Sequence, residues 1–459
     1  MRVHGFTLLG ILVGGGCFNP DAPEASTSSA DETTAGPSAT ESGSDPTTAS
    51  NTETSATSTD PSATMTSPDT SLATSADTST TDDTTDPTTD TDTDGATDES
   101  STGGPVLDCG DGIEAPGELC FDDVVLLESN DVTYDGRLMD VDLDGDGDVV
   151  YLIGDQVVTR LGTGKGVFGP ALFGLTVFPT SVEAGDIDGD GTTDLAIIRS
   201  FEDSLEVALG DGNGDFVLQM PSLASGTSPT QVVVGDLDGN DGDDIIVGGG
   251  DTYNVFVSDG DGSPVPQFQV GVGGPIVALG LGEFDGDGDA DMIFVRTLGA
   301  VSSMFVRLGD GDGTFGSAVP IDVDGDTPRA TVGGDLDGDG NGDIVHVDSD
   351  LDLVYVLFGN GAGGFDDPVG VATDVEPQQV VVVDLTGDGH LDVAVGHGEG
   401  ASVWIYPNDG AGALGEPLPI ALVGPVDSLA SGTGNSDGVP DLITTDTNNE
   451  YVTVVLSTP

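Results

Sequence analysis

The sequence has very few positively charged residues. Eight Lys and Arg stand against 83 Asp and Glu in 459 residues, and the formal net charge is -75. Residues 3–136 contain no Lys or Arg at all. Without a basic patch a protein cannot neutralise phosphates and release their counterions, which excludes nucleic acids and anionic membrane surfaces as partners. Cations are the partners that this charge favours.

Long apolar runs are also missing, and the one near the N-terminus is short. It extends from Phe6 to Val13 after a basic start and ends in small residues before Cys17. Such a run is too short to span a bilayer and is typical of a signal peptide. A cysteine directly after small residues resembles a bacterial lipoprotein cleavage site, so we predict a signal peptide over 1–17 and a lipid anchor at Cys17. An ordinary signal peptide, and hence a secreted protein, is the alternative.

Only two other cysteines are present, Cys109 and Cys120. In an exported protein such a pair predicts a disulfide, which would close a small segment over 105–120. Two cysteines with no further ligands nearby cannot make a zinc site. The stretch "CGDGIEAPGELC" also resembles cysteine repeats in surface proteins of myxobacteria. Residues 18–104 are almost entirely Ser, Thr, Asp, Ala, Pro and Glu, a composition that predicts a disordered stalk.

Histidine and tryptophan are scarce, and catalytic motifs are absent. The four histidines are not paired with a nucleophile motif, and G-x-S-x-G, H-E-x-x-H and the phosphate-binding G-x-x-x-x-G-K-[ST] do not occur. Carboxylate pairs, which glycosidases need, occur only within the acidic repeats described next. Trp404, the single tryptophan, lies in a strand-like run and is expected to pack in the core. We therefore expect no enzymatic activity.

An acidic stretch recurs seven times from residue 121 onward. The copies, here called acidic loops 1 to 7, are 141–150, 185–194, 235–244, 282–291, 334–343, 383–392 and 432–441. Most copies are followed by a Gly-rich turn with Phe, as in "LGDGDGTFG", and short strand-like runs lie between these marks. A period near fifty residues with four strands per unit predicts an all-β fold, a seven-bladed β-propeller over 121–459.

The two chain ends are predicted to complete the same blade. The last acidic loop is not followed by a Gly-rich turn and an outer strand, because the sequence ends at "YVTVVLSTP". A strand-like run at the front, "FDDVVLLES" (121–129), has the spacing of the missing strand. We expect this N-terminal strand to close the ring and remove an exposed sheet edge.

The spacing D-x-D-G-D-G-x-x-D suits a calcium loop. Asp at positions 1, 3 and 5 converge when glycines at 4 and 6 let the backbone curl, and Asp at position 9 closes the shell. Many hard oxygen ligands suit Ca²⁺ better than Mg²⁺ or zinc. An EF-hand is excluded because His346 stands where its Glu belongs, and a nonapeptide calcium β-helix is excluded by the period.

Because the acidic stretch and the Gly-rich turn with Phe recur together, residues 121–459 resemble the FG-GAP/VCBS repeats of the integrin α-subunit propeller and its bacterial relatives. The resemblance implies calcium at the rim of the blades and a propeller that serves as a recognition platform. It implies these calcium ligands: Asp186, Asp188, Asp190 and Asp194; Asp236, Asp238, Asn240 and Asp244; Glu283, Asp285, Asp287 and Asp291; Asp335, Asp337, Asp339 and Asp343; Asp384, Asp388 and Asp392.

Three loops depart from the pattern. In loop 3, Asp241 replaces a glycine. Loop 1 is expected to bind weakly because Val150 stands where the closing Asp belongs, and loop 7 because it keeps few ligands. The weaker ligands are Asp142, Asp144 and Asp146 in loop 1, and Asn435, Asp437 and Asp441 in loop 7.

These features together predict a calcium-binding adhesion module on the cell surface. It would be a monomer, held at the outer membrane by the lipid at Cys17 and binding an extracellular protein or glycan. A propeller enzyme acting on polysaccharide and a purely structural envelope lipoprotein are the alternatives, because propellers support many functions.

Overall fold

The computed structural model describes residues 120–240, 242–260, 262–299, 301–323 and 327–458. Every regular secondary-structure element in these ranges is a β-strand. No helix in this part of the chain is long and apolar enough to cross a membrane. The predicted signal peptide, linker and disulfide lie outside the described residues, as does Asp241; of Cys120 only the backbone is described.

The described strands form seven antiparallel sheets, which are the blades of a β-propeller. The first strand of each blade contacts the first strand of both neighbouring blades, so these strands surround the centre in a closed circuit. The predicted all-β fold with seven blades is therefore confirmed.

Blades 1 to 6 follow one another along the chain, and each begins with its innermost strand. Blades 1 to 3 contain β2 (Thr133–Met139), β3 (Asp148–Ile153), β4 (Gln156–Arg160) and β5 (Leu172–Thr176); β6 (Ser181–Gly185), β7 (Asp194–Arg199), β8 (Ser204–Gly210), β9 (Phe216–Leu218) and β10 (Leu223–Ala224); β11 (Pro229–Gly235), β12 (Asp244–Gly249), β13 (Thr252–Val257) and β14 (Val265–Gly271). Blades 4 to 6 contain β15 (Ile276–Gly282), β16 (Asp291–Leu298), β17 (Val301–Arg307) and β18 (Val319–Ile321); β19 (Pro328–Gly334), β20 (Asp343–Asp348), β21 (Leu353–Leu357) and β22 (Val369–Ala372); β23 (Pro377–Val383), β24 (Asp392–His397), β25 (Ser402–Tyr406) and β26 (Leu418–Ala421).

Blade 7 is built from both ends of the described chain. Its three inner strands are β27 (Ser428–Gly432), β28 (Asp441–Thr445) and β29 (Tyr451–Thr458), and its outermost strand is β1 (Cys120–Glu128). β1 pairs antiparallel with β29 over its whole length, from Cys120 opposite Thr458 to Glu128 opposite Tyr451. The predicted closure of the ring by an N-terminal strand is confirmed.

The hydrophobic core lies between the blades. Seven clusters of buried side chains are present, and each joins two adjacent blades, so that every interface around the ring has its own cluster. The second strand of a blade is covered on both faces by this arrangement. All six residues of β3 (DVVYLI) and of β12 (DIIVGG) are buried as a result. This explains why these strands are nearly continuous apolar runs instead of alternating patterns.

Loss of packing at the closing strand should destabilise the ring. Phe121 is 2% exposed and lies in the cluster between blades 6 and 7, whereas Leu126 on the same strand is 44% exposed. We expect Phe121→Ala to lower the free energy of unfolding by about 3–5 kcal/mol, because it leaves a cavity in a core. Leu126→Ala should cost less than about 1 kcal/mol. Urea unfolding measures both, and equal effects would contradict the role assigned to β1.

Candidate metal centre

All seven acidic loops lie at one end of the propeller. Each connects the first and second strands of a blade, and the Gly-rich turns, which follow the third strands, lie at the same end. We call this end the loop face. The turns between second and third strands and the links from one blade to the next lie at the opposite end, which we call the connection face. The strand order of a four-stranded antiparallel blade requires this separation.

Each acidic loop contains, at position 9, a buried Asp that begins the second strand, and in loop 1 this residue is Asp148. In blade 2, Oδ2 of Asp194 accepts the backbone N–H of Ile187 at 2.9 Å, and its Oδ1 accepts the N–H of Gly210 at 2.8 Å. The corresponding Asp of every blade makes the same two bonds, one to its own loop and one to the end of the third strand. These residues, each at most 1% exposed, are Asp148, Asp194, Asp244, Asp291, Asp343, Asp392 and Asp441.

Burial raises the pKa of these carboxyl groups, although the backbone N–H bonds oppose the shift. In blades 2 to 7 the pKa rises to about 6, and in Asp148 of blade 1 the direction is the same. Neighbouring carboxylates of the same loop add to the rise. A cation among these groups would favour their ionised form. The loops are therefore electrostatically suited to hold one.

The backbone of the loops curls as the glycine spacing predicts. In loop 2, Oδ2 of Asp186 at position 1 accepts the N–H of Gly191 at position 6, at 3.0 Å. Position 6 is a glycine with φ between 84° and 93° in all the loops whose sixth residue is described, a conformation that only glycine adopts readily. The same bond from position 6 to position 1 occurs in loops 1, 4, 5 and 6. This curl brings the side chains at positions 1, 3 and 5 to one side.

Carboxylate oxygens converge in five of the loops. Three acidic side chains place one oxygen each within 4.8 Å of one another. The groups are Asp140, Asp142 and Asp148; Asp186, Asp188 and Asp194; Asp236, Asp238 and Asp244; Glu283, Asp285 and Asp291; Asp335, Asp337 and Asp339. Oδ1 of Asp140 and Oδ1 of Asp186 are buried and accept no hydrogen bond. An oxygen-only donor set with unpaired buried carboxylate oxygens fits a hard cation such as Ca²⁺.

The register predicted for loop 1 is wrong by two residues. Asp148, and not Val150, begins the second strand and makes the two backbone bonds of position 9. Position 1 is therefore Asp140, and the candidate ligands are Asp140, Asp142, Asp144 and Asp148. Asp146 falls at position 7, where its Oδ1 accepts a hydrogen bond from Ser436 of blade 7 at 2.7 Å. Loop 1 is thus complete in its acidic positions.

The shifted register was hidden by an unusual residue at position 4. Leu143 occupies this position with φ of 58°. At the same position loop 2 has a glycine, Gly189, with φ of 68°. Because Asp alternates along the whole stretch "DVDLDGDGD", two registers fit the acidic pattern. The D-G-D-G motif favoured the wrong register, which ends at Val150.

Loops 6 and 7 have fewer carboxylates at the converging positions. In loop 6, Thr386 stands at position 3 between Asp384 and Asp388. In loop 7, Thr433 stands at position 1 and Asn435 at position 3. Within the described residues, neither loop brings three acidic oxygens within 4.8 Å of one another. In loop 3, Asn240 at position 5 donates from Nδ2 to Oδ2 of Asp238 at 2.7 Å.

The loop face also joins neighbouring blades. The N–H of Gly214, in the Gly-rich turn of blade 2, donates to the carbonyl of Val141 in loop 1 at 3.2 Å. Gly214 has φ of 88°, and a Cβ there would lie 2.8 Å from the side chain of Leu161 in blade 1. Blades 4 and 5 bond in the same way to the second loop residue of the preceding blade, through the N–H groups of Gly313 and Gly363. Blades 3 and 6 reach the equivalent carbonyl with side chains, Oγ of Ser258 and Nδ2 of Asn408. A cation that orders one loop would therefore also support the next blade.

A buried charge network near the centre was not predicted from the sequence. Arg137 on β2 is 4% exposed and contacts Oδ1 of Asp135 at 2.7 Å and Oε2 of Glu183 at 3.0 Å. Asp135 also accepts hydrogen bonds from Ser181 and Ser428, at 2.7 Å each. The network joins the first strands of blades 1, 2 and 7. No local sequence signal pairs residues so far apart, although Arg137 is one of only eight basic residues.

His346, His397 and Trp404 are engaged in packing, whereas His390 is exposed in acidic loop 6. His346 is fully buried and stacks on Tyr355, and burial lowers its pKa to about 4. His397 is fully buried, with Nε2 2.7 Å from Oγ1 of Thr373. Trp404 packs against the cluster between blades 5 and 6 and meets the His397 ring edge to face. Neither buried histidine reaches the surface.

Two carboxylates of loop 5 should separate the structural role from the cation-binding role. Asp343 at position 9, predicted as a calcium ligand, accepts two backbone N–H bonds and lies outside the converging group of loop 5, whereas Asp339 at position 5 is exposed and belongs to that group. We expect Asp343→Asn to lower the free energy of unfolding by about 1–3 kcal/mol in calcium and in chelator alike, because the amide NH₂ cannot accept a backbone N–H. Asp339→Asn should have an effect only in calcium. Thermal unfolding in calcium and in chelator measures both effects. The same dependence on calcium for the two variants would contradict the separate roles of the two carboxylates.

Comparisons with known proteins agree with this architecture. The sequence profile described as "FG-GAP-like repeat" matches residues 140–197, 186–247 and 335–395. Each match begins at position 1 of a loop, which supports the register that starts at Asp140. No curated protein matches the chain.

Among solved structures, the fold is similar to BBS1N in its complex with ARL6DN, soaked with lead, with 12% identity, a TM-score of 0.53, and coverage of 75% of this chain and 98% of that one. An Agrocybe aegerita lectin, described as recognising non-reducing terminal N-acetylglucosamine, matches with 21% identity, a TM-score of 0.48, and coverage of 73% and 87%. At these identities the likeness to BBS1N concerns the fold alone. The chain is thus a seven-bladed β-propeller that carries FG-GAP-like repeats.

Proposed function

We propose that this protein is a calcium-binding recognition module of the cell surface. The observation that carries the proposal is the convergence of three carboxylates in loops 1 to 5, with a buried unpaired oxygen in loops 1 and 2. Carboxylates held this close repel one another unless a cation lies among them. The Asp- and Glu-based donor sets favour Ca²⁺, which accepts six to eight oxygens in flexible geometry.

The calcium ions would serve mainly to stabilise the propeller. Each loop is tied through its position 9 Asp to the third strand of its own blade, and loops 1 to 5 are tied through the carbonyl of their second residue to the next blade. A ligand that binds only the folded state stabilises it by mass action. Calcium would thus stiffen the loop face and the junctions between blades without taking part in chemistry.

The recognition role rests on the propeller fold and its FG-GAP-like repeats. FG-GAP-like repeats suggest an extracellular type of domain, and the ligand would be a protein or a glycan. The buried positions of His346 and His397 give no support to acid–base catalysis. Export, the lipid anchor at Cys17 and placement at the outer membrane belong to the same proposal, as does a monomeric state.

Calcium should raise the thermal midpoint of the purified protein markedly over that in chelator. The physical reason is that the cation cancels repulsion among loop carboxylates only in the folded state. Differential scanning calorimetry in millimolar calcium and in chelator measures the shift. An unchanged thermal midpoint would contradict calcium binding by the folded protein.

A matched pair of variants tests loop 1 within the same experiment. Asp140→Asn should reduce the number of calcium ions bound in a calorimetric titration, because it weakens the ligand at position 1. Asp146→Asn should leave that number unchanged, since position 7 does not place its side chain among the converging carboxylates. The reverse pattern would restore the register that ends at Val150.

The recognition role calls for a binding experiment. We expect the immobilised protein to retain specific material from cell-envelope and extracellular fractions in calcium and to release it in chelator. Identification of the retained protein or glycan, followed by direct binding of the purified component, would establish the ligand. Retention of nothing under either condition would count against recognition and in favour of a structural role.

A further inference from the structure

The exposed phenylalanines of the described chain all lie in two adjacent blades. Phe173 is 61% exposed, Phe178 54% and Phe201 86%, and they belong to blades 1 and 2 or to the link between them. Val217 and Met220 of blade 2 are exposed as well, at 61% and 76%. Single exposed apolar residues are ordinary on a protein surface, but grouped aromatic side chains indicate an interaction site.

The backbone brings these residues together along the boundary between the two blades. β5, which carries Phe173, contacts β9, which carries Val217. Phe178 follows β5 by two residues. Two residues later, Oγ1 of Thr180 lies 2.8 Å from Oγ of Ser200, which precedes Phe201. We call Phe173, Phe178, Phe201, Val217 and Met220 the blade 1–2 strip. It extends along the outer edge of blades 1 and 2, from Val217, which follows the Gly-rich turn of blade 2, to Phe178 and Phe201 at the connection face.

Blade 2 is also the blade whose outer strand is interrupted. Its edge consists of β9 and β10, which pair with opposite ends of β8, and residues 219–222 between them are outside both strands. Met220 lies in this interruption and is the most exposed apolar residue of the outer edge. In blades 1 and 3 to 6 the outer edge is a single uninterrupted strand. The strip therefore coincides with an irregular edge.

The charge around the strip is negative. Its exposed acidic neighbours are Glu202 and Asp203, which directly follow Phe201. The nearby Arg160 is bonded to the carbonyls of Glu128 and Gly169, and Arg199 is paired with Glu202 and Glu206. Lys165 is exposed in blade 1 but lies on the Gly-rich turn of the loop face. An apolar surface with an acidic border complements a partner that combines apolar and basic side chains.

We propose that the blade 1–2 strip binds a basic peptide segment whose apolar side chains pack on Phe173, Phe178 and Phe201. Aromatic anchors supply most of the affinity in such interfaces, and the acidic border selects for Lys and Arg. A second copy of the chain is disfavoured because it carries the same net charge of -75. The chain's own segment 18–104 is disfavoured because it contains no Lys or Arg. The inference rests on the proposed recognition function and specifies its surface and its partner.

The test uses a short synthetic peptide of alternating Lys and Leu, titrated against the purified protein in calcium. Two peptides serve as controls: alternating Lys and Ser, with the same charge, and alternating Glu and Leu. The strip variant carries Phe173→Ser and Phe201→Ser. The matched control carries Val265→Ser and Val369→Ser, which change residues of 58% and 51% exposure on the outer strands of blades 3 and 5. Thermal midpoints confirm that both variants are folded.

We expect the Lys–Leu peptide to bind the strip variant about tenfold more weakly than the parent protein, equivalent to about 1.4 kcal/mol. Binding to the control variant should change less than about twofold, and the Lys–Ser peptide should not distinguish the proteins. Equal loss in both variants, or no binding of the Lys–Leu peptide, would overturn the proposal. Self-association at low salt that the strip variant abolishes would instead assign the strip to a second copy. The calcium shift and the envelope capture are read independently, so a failure here is distinguishable from a failure of the proposed function.

Discussion

The interaction on which this propeller depends is the pair of backbone hydrogen bonds accepted by the Asp at position 9 of each acidic loop. One carboxylate oxygen holds the loop, and the other holds the end of the third strand. Because backbone N–H groups must find acceptors when buried, this single side chain completes two connections in every blade. Next to this anchor, the curl at the position 6 glycine brings the side chains at positions 1, 3 and 5 to one side.

The same anchor explains how local and global order are linked. The loop that it fixes presents its second carbonyl to the next blade, and apolar clusters fill each interface around the ring. Near the centre, Arg137 ties three first strands together through Asp135 and Glu183. Breaking such a buried pair leaves an uncompensated charge, so the network fixes the mutual positions of the blades where the ring closes.

Much of this architecture could be predicted from the sequence because it repeats. A period near fifty residues gave the blades, and the missing outer strand at the C-terminal end gave the closure by β1, which the structure confirms. The register of loop 1 could not be fixed in this way, since alternating Asp fits two alignments and only the start of β3 at Asp148 distinguishes them. The Arg137 network and the blade 1–2 strip depend on residues far apart in the sequence, and no periodic signal marks them.

The shared seventh blade has a consequence for the order of folding during synthesis. β1 leaves the ribosome first, but its partner β29 is separated from it by most of the length of the chain. The early strand must wait unpaired while six blades assemble, and the final pairing joins two segments of very high sequence separation, which is slow because a long loop must close. The apolar run of β1 makes this waiting strand a part of the nascent chain that needs protection from foreign sheet edges, and its three acidic residues oppose such pairing.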